Sequence, residues 1–90
     1  MQILPYTVLQ AKKLNVTVKP STNKNKKLDV YQNNKKIAII GAKGYSDYPT
    51  YIKTHGIEYA NVRRDLYKNR HNKDRHKVGS NGYYADKLLW

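Results

Sequence analysis

Apolar side chains in the first half of the chain recur at every second position. In "LNVTVKP", Leu14, Val16 and Val18 alternate with polar neighbours, the period of a half-buried strand. "PSTNKNKK" breaks that run with turn formers and lysines and reads as an exposed connection. Alternation resumes in "LDVYQ", with Leu28, Val30 and Gln32 on one face and Asp29 and Tyr31 on the other. Asn33 and Asn34 tolerate positive backbone angles and suit a tight hairpin, after which "KIAIIG" supplies a third strand. Residues 14–41 are therefore expected to form a three-stranded antiparallel meander, with residues 1–13 as an N-terminal arm.

The period changes after Gly41. "PTYIKTHG" reads as a short helix with Pro49 at its first position and Gly56 at its end, so residues 42–56 become a loop and a short helix. "IEYANVRRDLYKNRHNKDRH" holds neither glycine nor proline and predicts a long helix over residues 57–76. At about 100° per residue, Tyr59, Val62 and Leu66 share one face, expected to be the core face, with Ala60 and Tyr67 toward its flank. "KVGSNG" stops the helix, and residues 77–90 form a docking segment whose "YYADKLLW" makes a final short helix. The expected fold class is α+β: a small antiparallel meander followed by a long helix and a short C-terminal helix packed on one face.

Ninety residues are enough for one small domain. There is no cysteine, so neither a disulfide nor a thiolate metal site reinforces it. The opening "MQILPYTVLQAKK" lacks the basic and apolar regions of a secretory leader, and no apolar run reaches membrane-spanning length. A soluble or peripheral protein is expected.

Charge changes the picture most. Eighteen Lys and Arg against six Asp and Glu leave a net +12, a field that attracts polyanions and repels other copies of the chain. The candidate polyanion contacts are Lys24, Lys26, Lys27 and Lys43 in and beside the loops, with Arg64, Lys68, His71 and Arg75 as a stripe along the long helix. Such a stripe can follow a phosphate backbone, and it equally serves as the solvated side of an amphipathic helix. Arg63 and Arg70 instead point into the apolar and tyrosine-rich face, where a guanidinium needs a carboxylate or phosphate. Asp47 and Asp86 are the expected internal acceptors, and Asp47 with Ser46 would anchor the loop onto the helix.

Catalytic and metal chemistry find no constellation. "GAKGYS" carries its lysine between the glycines, whereas a nucleotide phosphate loop needs Gly-Lys-Ser/Thr at a helix start; Gly41 and Gly44 instead suit a sharp corner displaying Lys43. His71, Asp74 and His76 do not align on one helix face and lie among cations that oppose a divalent ion. With six carboxylates and no pair set apart, acid–base catalysis and metal-dependent nuclease chemistry are not expected. No enzyme activity, cofactor or small-molecule substrate is predicted. Nine tyrosines, one tryptophan and no phenylalanine favour half-buried cores, interfaces and base stacking. Tyr45, Tyr48, Tyr83, Tyr84 and Trp90 are the candidate interface residues.

Three blocks, "KKIAIIGAKGYSDYP", "RRDLYKNRH" and "YYADKLLW", occur in this order from about Lys27 onward. In these the chain resembles small basic proteins of unassigned function encoded by large double-stranded DNA viruses, including giant algal and amoebal viruses. It departs from them where Tyr83 and Tyr84 stand in place of tryptophan and phenylalanine. The resemblance implies a viral origin and a place in the virion, reached through the host cytoplasm or viral factory. The favoured function is thus a minor capsid or cement-type structural protein docking on neighbouring capsid proteins. The alternative is a sequence-independent DNA- or RNA-binding protein contacting phosphates.

Overall fold

The computed structural model describes residues 3–90. It is α+β, with a three-stranded antiparallel sheet in the order β1-β2-β3 (Thr17–Pro20, Lys26–Gln32, Lys35–Ala42). Asn33 and Asn34 take φ of 53° and 65°, the left-handed pair that closes a two-residue hairpin. The β2–β3 register slips between Val30 and Tyr31 and leaves Ile37 unopposed. Four helices stand beside it among the described residues: α1 (Pro5–Leu14), α2 (Tyr48–His55), α3 (Ile57–Arg70) and α4 (Asn81–Leu89).

Leu28, Val30, Ala38 and Ile40 project from one face of the sheet onto Ala11 of α1 and Leu88 and Leu89 of α4. Thr7 binds the two covering helices together, its Oγ1 donating to the Leu88 carbonyl at 2.9 Å. This cluster is the main buried core among the described residues, and it is small. The opposite face hides one charge. Asp29 is fully buried: it accepts from the Ser21 hydroxyl at 2.6 Å and the Thr22 backbone N–H at 3.3 Å, and pairs with Lys36 Nζ at 3.2 Å. Chiefly the Ser21 hydrogen bond, helped by Thr22 and Lys36, holds its carboxyl below the ordinary carboxylate value despite burial.

Four expectations are corrected. Of the expected arm over residues 1–13, residues 1–2 lie outside the described residues, and residues 5–13 are helix: Pro5 sits at the first turn of α1, where its missing N–H costs nothing, and Asn15 at φ 58° caps the far end. Leu14 accordingly ends that helix instead of opening a strand, though Leu14, Val16 and Val18 all still reach the core. The long helix stops at Arg70, not at residue 76, and residues 71–80 turn back through Gly79. That reversal lets Ser80 cap α4 at the Tyr83 N–H and presses the turn onto Gly82, where a Cβ would lie 3.0 Å from that of Asp74. Finally, Tyr59, Val62 and Leu66 are not the core face of α3: they are 43, 59 and 47% exposed, whereas Ala60 is fully buried. Helix α3 packs on α2, not on the sheet, and the small Ala60 side chain is what lets the helices approach.

Gly41 marks a second tight point. It has φ of 77°, and a Cβ there would lie 3.0 Å from both Leu89 and Lys27 side chains. Gly41→Ala is expected to lower stability by about 2–4 kcal/mol in urea denaturation, from backbone strain plus overpacking. Gly44→Ala, with similar φ but open space around it, should lose only the backbone part, about 1 kcal/mol.

Because the Asp29 pKa is lowered in the folded state, its stabilisation is present above the ordinary value of 3.8 and is lost as pH falls below it. In the Asp29→Asn variant that acid-side loss disappears; thermal melts between about pH 2 and 6, chosen to span about two units either side of an unperturbed aspartate, read the difference.

Candidate functional site: a basic aromatic cleft

The buried carboxylates decide where the free cations lie. Asp47 caps α2 by accepting from the Thr50 N–H at 3.1 Å, and its other oxygen receives Lys27 Nζ at 3.2 Å. Both partners of that pair are buried, so it closes the loop 43–47 against β2. Asp86 of α4 is also buried and receives Lys68 Nζ at 2.8 Å, with Arg75 4.0 Å away. The acceptors for internal pairing are thus Asp47 and Asp86, but their donors are lysines and Arg75, not Arg63 and Arg70. The reason is reach: Lys27 and Lys68 extend straight from β2 and α3 to the carboxylates, while Arg63 is drawn over the Tyr51 ring, 5.5 Å from its centroid.

Arg63 and Arg70 are left without a carboxylate among the described residues. Both line a cleft of about 380 Å³ whose walls are the loop after β3, α3 and the end of α4. Lys26 and His71 share it. Its aromatic surface comes from Tyr45, Tyr51, Tyr67 and Trp90. Tyr67 and Trp90 stack in parallel, centroids 4.4 Å apart and planes 8° apart, and Tyr51 leans on Trp90 at 6.2 Å. His71 stands 4.4 Å from the Tyr67 ring. Burial, reinforced by the Asp86 carboxylate, raises the Tyr67 pKa, so its phenol remains a hydrogen-bond donor at neutral pH.

A second hollow of about 400 Å³ continues the first, sharing Lys26, Gly41, Tyr67, His71 and Ala85, and adds Lys77 and Ser80. The two form one groove from Tyr45 to Lys77. Such a groove can hold an extended polyanion carrying flat rings: cations for the charge, ring faces for stacking.

The expected polyanion contacts divide. Lys26 and His71 line the groove, and Lys24 and Lys43 are exposed near its sheet end, where the Lys43 N–H donates to the Asn25 carbonyl. Lys27 and Lys68 are consumed by Asp47 and Asp86 and are removed from the set. Arg64 lies 4.0 Å over the Tyr48 ring, away from the groove, and Arg75 is turned toward Asp86 with its Nε unpartnered among the described residues. The helix stripe is therefore not an even phosphate track, because side chains at its spacing face different packed neighbours.

The interface tyrosines divide too. Tyr48 is buried, its hydroxyl donating to Asn61 Oδ1 at 3.0 Å and its ring edge-on to Tyr6, so it is a core residue. Tyr45 is 75% exposed, and Tyr83, Tyr84 and Trp90 are half-buried. Tyr51 and Tyr67 were missed as site residues by sequence reasoning; the only signal was the tyrosine at Tyr67 on the flank shared with Arg63 and Arg70.

Residues 16–71 match the model of the family of unknown function DUF5754, which covers the sheet, α2 and α3 but neither α1 nor α4. No curated protein and no solved structure matches the chain. No helix is long and apolar enough to cross a membrane, and no group of three metal-ligating side chains occurs among the described residues. With more than half of its length matched, the chain belongs to DUF5754, a family of unknown function.

Proposed function

We propose that the chain is a non-enzymatic, sequence-independent nucleic-acid-binding protein that takes single strands into the groove beside α3. The observation that carries this reading is that Arg63 and Arg70, both without a carboxylate among the described residues, line one cleft with the rings of Tyr51, Tyr67 and Trp90, Arg63 lying over Tyr51. Guanidinium groups and Lys26 would hold phosphates, and the ring surfaces that line the cleft would stack bases. Neither contact distinguishes one base from another. The groove's aromatic floor favours unpaired strands, since a duplex keeps its base faces stacked on one another.

A second reading rests on a different surface. Tyr59, Val62 and Leu66 form an exposed apolar stripe on α3, and exposed Tyr45 stands at the rim of the groove. Those features support docking on protein neighbours, the minor capsid or cement role implied by the viral resemblance, with the virion as its place.

Trp90 is the sole tryptophan and lies in the groove, so its fluorescence reads occupancy directly. Titration with a random single-stranded oligonucleotide is expected to quench it, with log affinity falling on log salt by about −0.7 per phosphate contact. Contacts from Lys26, Arg63, Arg70 and Lys77 would give a slope of about −3. Replacing Arg63 and Arg70 with alanine should reduce that slope by about 1.4, and Tyr51→Ala should cost about 1–3 kcal/mol of binding. Absence of binding at physiological salt, or a slope untouched by the two arginine substitutions, would reject the groove and leave the docking reading.

A further inference from the structure

Helix α3 carries a second pattern that the groove does not use. Counted in sevens, Tyr59 and Leu66 occupy position a, and Val62 and Asn69 occupy position d, the seam of a two-helix coil. All four are exposed. On one flank of this seam, at position g, stand Glu58 and Asp65; on the other, at position e, stand Arg63 and Arg70. The fourteen residues of Ile57–Arg70 hold two full heptads, and the charges repeat in both.

The placement of the carboxylates is telling because they are scarce. Of six, Asp29, Asp47 and Asp86 are buried. Glu58 and Asp65 are two of the three that remain exposed, seven residues apart on the same flank, and neither makes an ion pair among the described residues. Within a chain of net +12, this one strip is charge-balanced.

From this geometry we propose that α3 pairs with α3 of a second copy, parallel and in register, through the seam of Tyr59, Val62 and Leu66. In a parallel pair, position g of one helix meets the e position five residues later on the other. Glu58 then faces the second copy's Arg63, and Asp65 its Arg70, on both sides of the seam. An antiparallel pair would set like flanks together, arginine against arginine, and is disfavoured by the same charges. The remaining positive charge opposes association, but charges beyond about 8 Å are largely screened at physiological salt. Two heptads make a small interface, so the dimer is weak and concentration-dependent. Arg63 and Arg70 serve both the seam and the groove; a single strand bound in the groove therefore competes with pairing. The inference does not rest on nucleic-acid binding, since mass is read without it.

Sedimentation equilibrium of the nucleic-acid-free protein at 0.15 M salt, over about 10 µM to 1 mM, suits the small size of this interface. The wild type is expected to rise from 10.5 kDa toward twice that mass. The variant carrying Glu58→Arg and Asp65→Arg should stay at 10.5 kDa, as should the one carrying Arg63→Glu and Arg70→Glu, and an equimolar mixture of the two should regain the dimer. Unchanged far-UV circular dichroism would check that each variant is folded. Because the chain has no cysteine, Val62→Cys offers an independent readout: mild oxidation should give a covalent dimer in the wild-type charge background and little in the Glu58→Arg, Asp65→Arg background. A wild type that remains monomeric throughout would overturn the proposal and assign the stripe to another protein. So would a Glu58→Arg, Asp65→Arg variant that dimerises and cross-links like the wild type.

Discussion

The buried pair of Lys27 and Asp47 sets the rest of the molecule in place. Lys27 leaves β2 beneath Gly41, where the absence of a Cβ lets the lysine stem and Leu89 close on the backbone. Its ammonium ends on Asp47, the residue that also caps α2. One carboxylate thus fixes the direction in which α2 leaves the sheet. Gly56, at φ 93°, then turns α2 into α3. Removing either partner would leave a buried charge uncompensated, which is far more costly than the pair is stabilising.

Carboxylate scarcity explains the site. Each of the buried aspartates is met by a lysine: Lys36 at Asp29, Lys27 at Asp47 and Lys68 at Asp86. Those lysines are committed to internal carboxylates, although only Lys27 is itself buried, so net charge overstates what the surface offers a polyanion. The arginines at Arg63 and Arg70 are left to the groove, where planar guanidinium groups suit both phosphate and ring faces.

Helix α3 consequently has two working faces and little contact with the sheet. One carries Tyr67 to its stack on Trp90 and completes the groove. The other presents an apolar seam with opposite charges on its flanks. Arg63 and Arg70 lie at the border between the faces, so under the two proposals a strand in the groove and a second copy on the seam would compete for them.

Much of the fold is legible in local pattern. Alternation in residues 28–32, the apolar run "KIAIIG", the Asn33–Asn34 turn and the glycine corner all report conformations set by neighbouring residues, and the sheet follows them. Helix α1 was hidden because Pro5 resembles a breaker until its position in the first turn is known. The carboxylates at Asp47 and Asp86 were readable as internal acceptors, since so few exist; their donors were not, because lysine and arginine carry the same charge and only geometry distinguishes them. The burial of Asp29 had no signal at all, since it depends on the Ser21–Thr22 loop folding back across the sheet. What the sequence by itself determined was the kind of each element from β1 to α4 and the excess of charge. Which face of α3 is buried, which cations are free and where the rings gather were decided by tertiary structure alone. Periodicity places side chains around a helix, but only the neighbouring elements determine which side is covered.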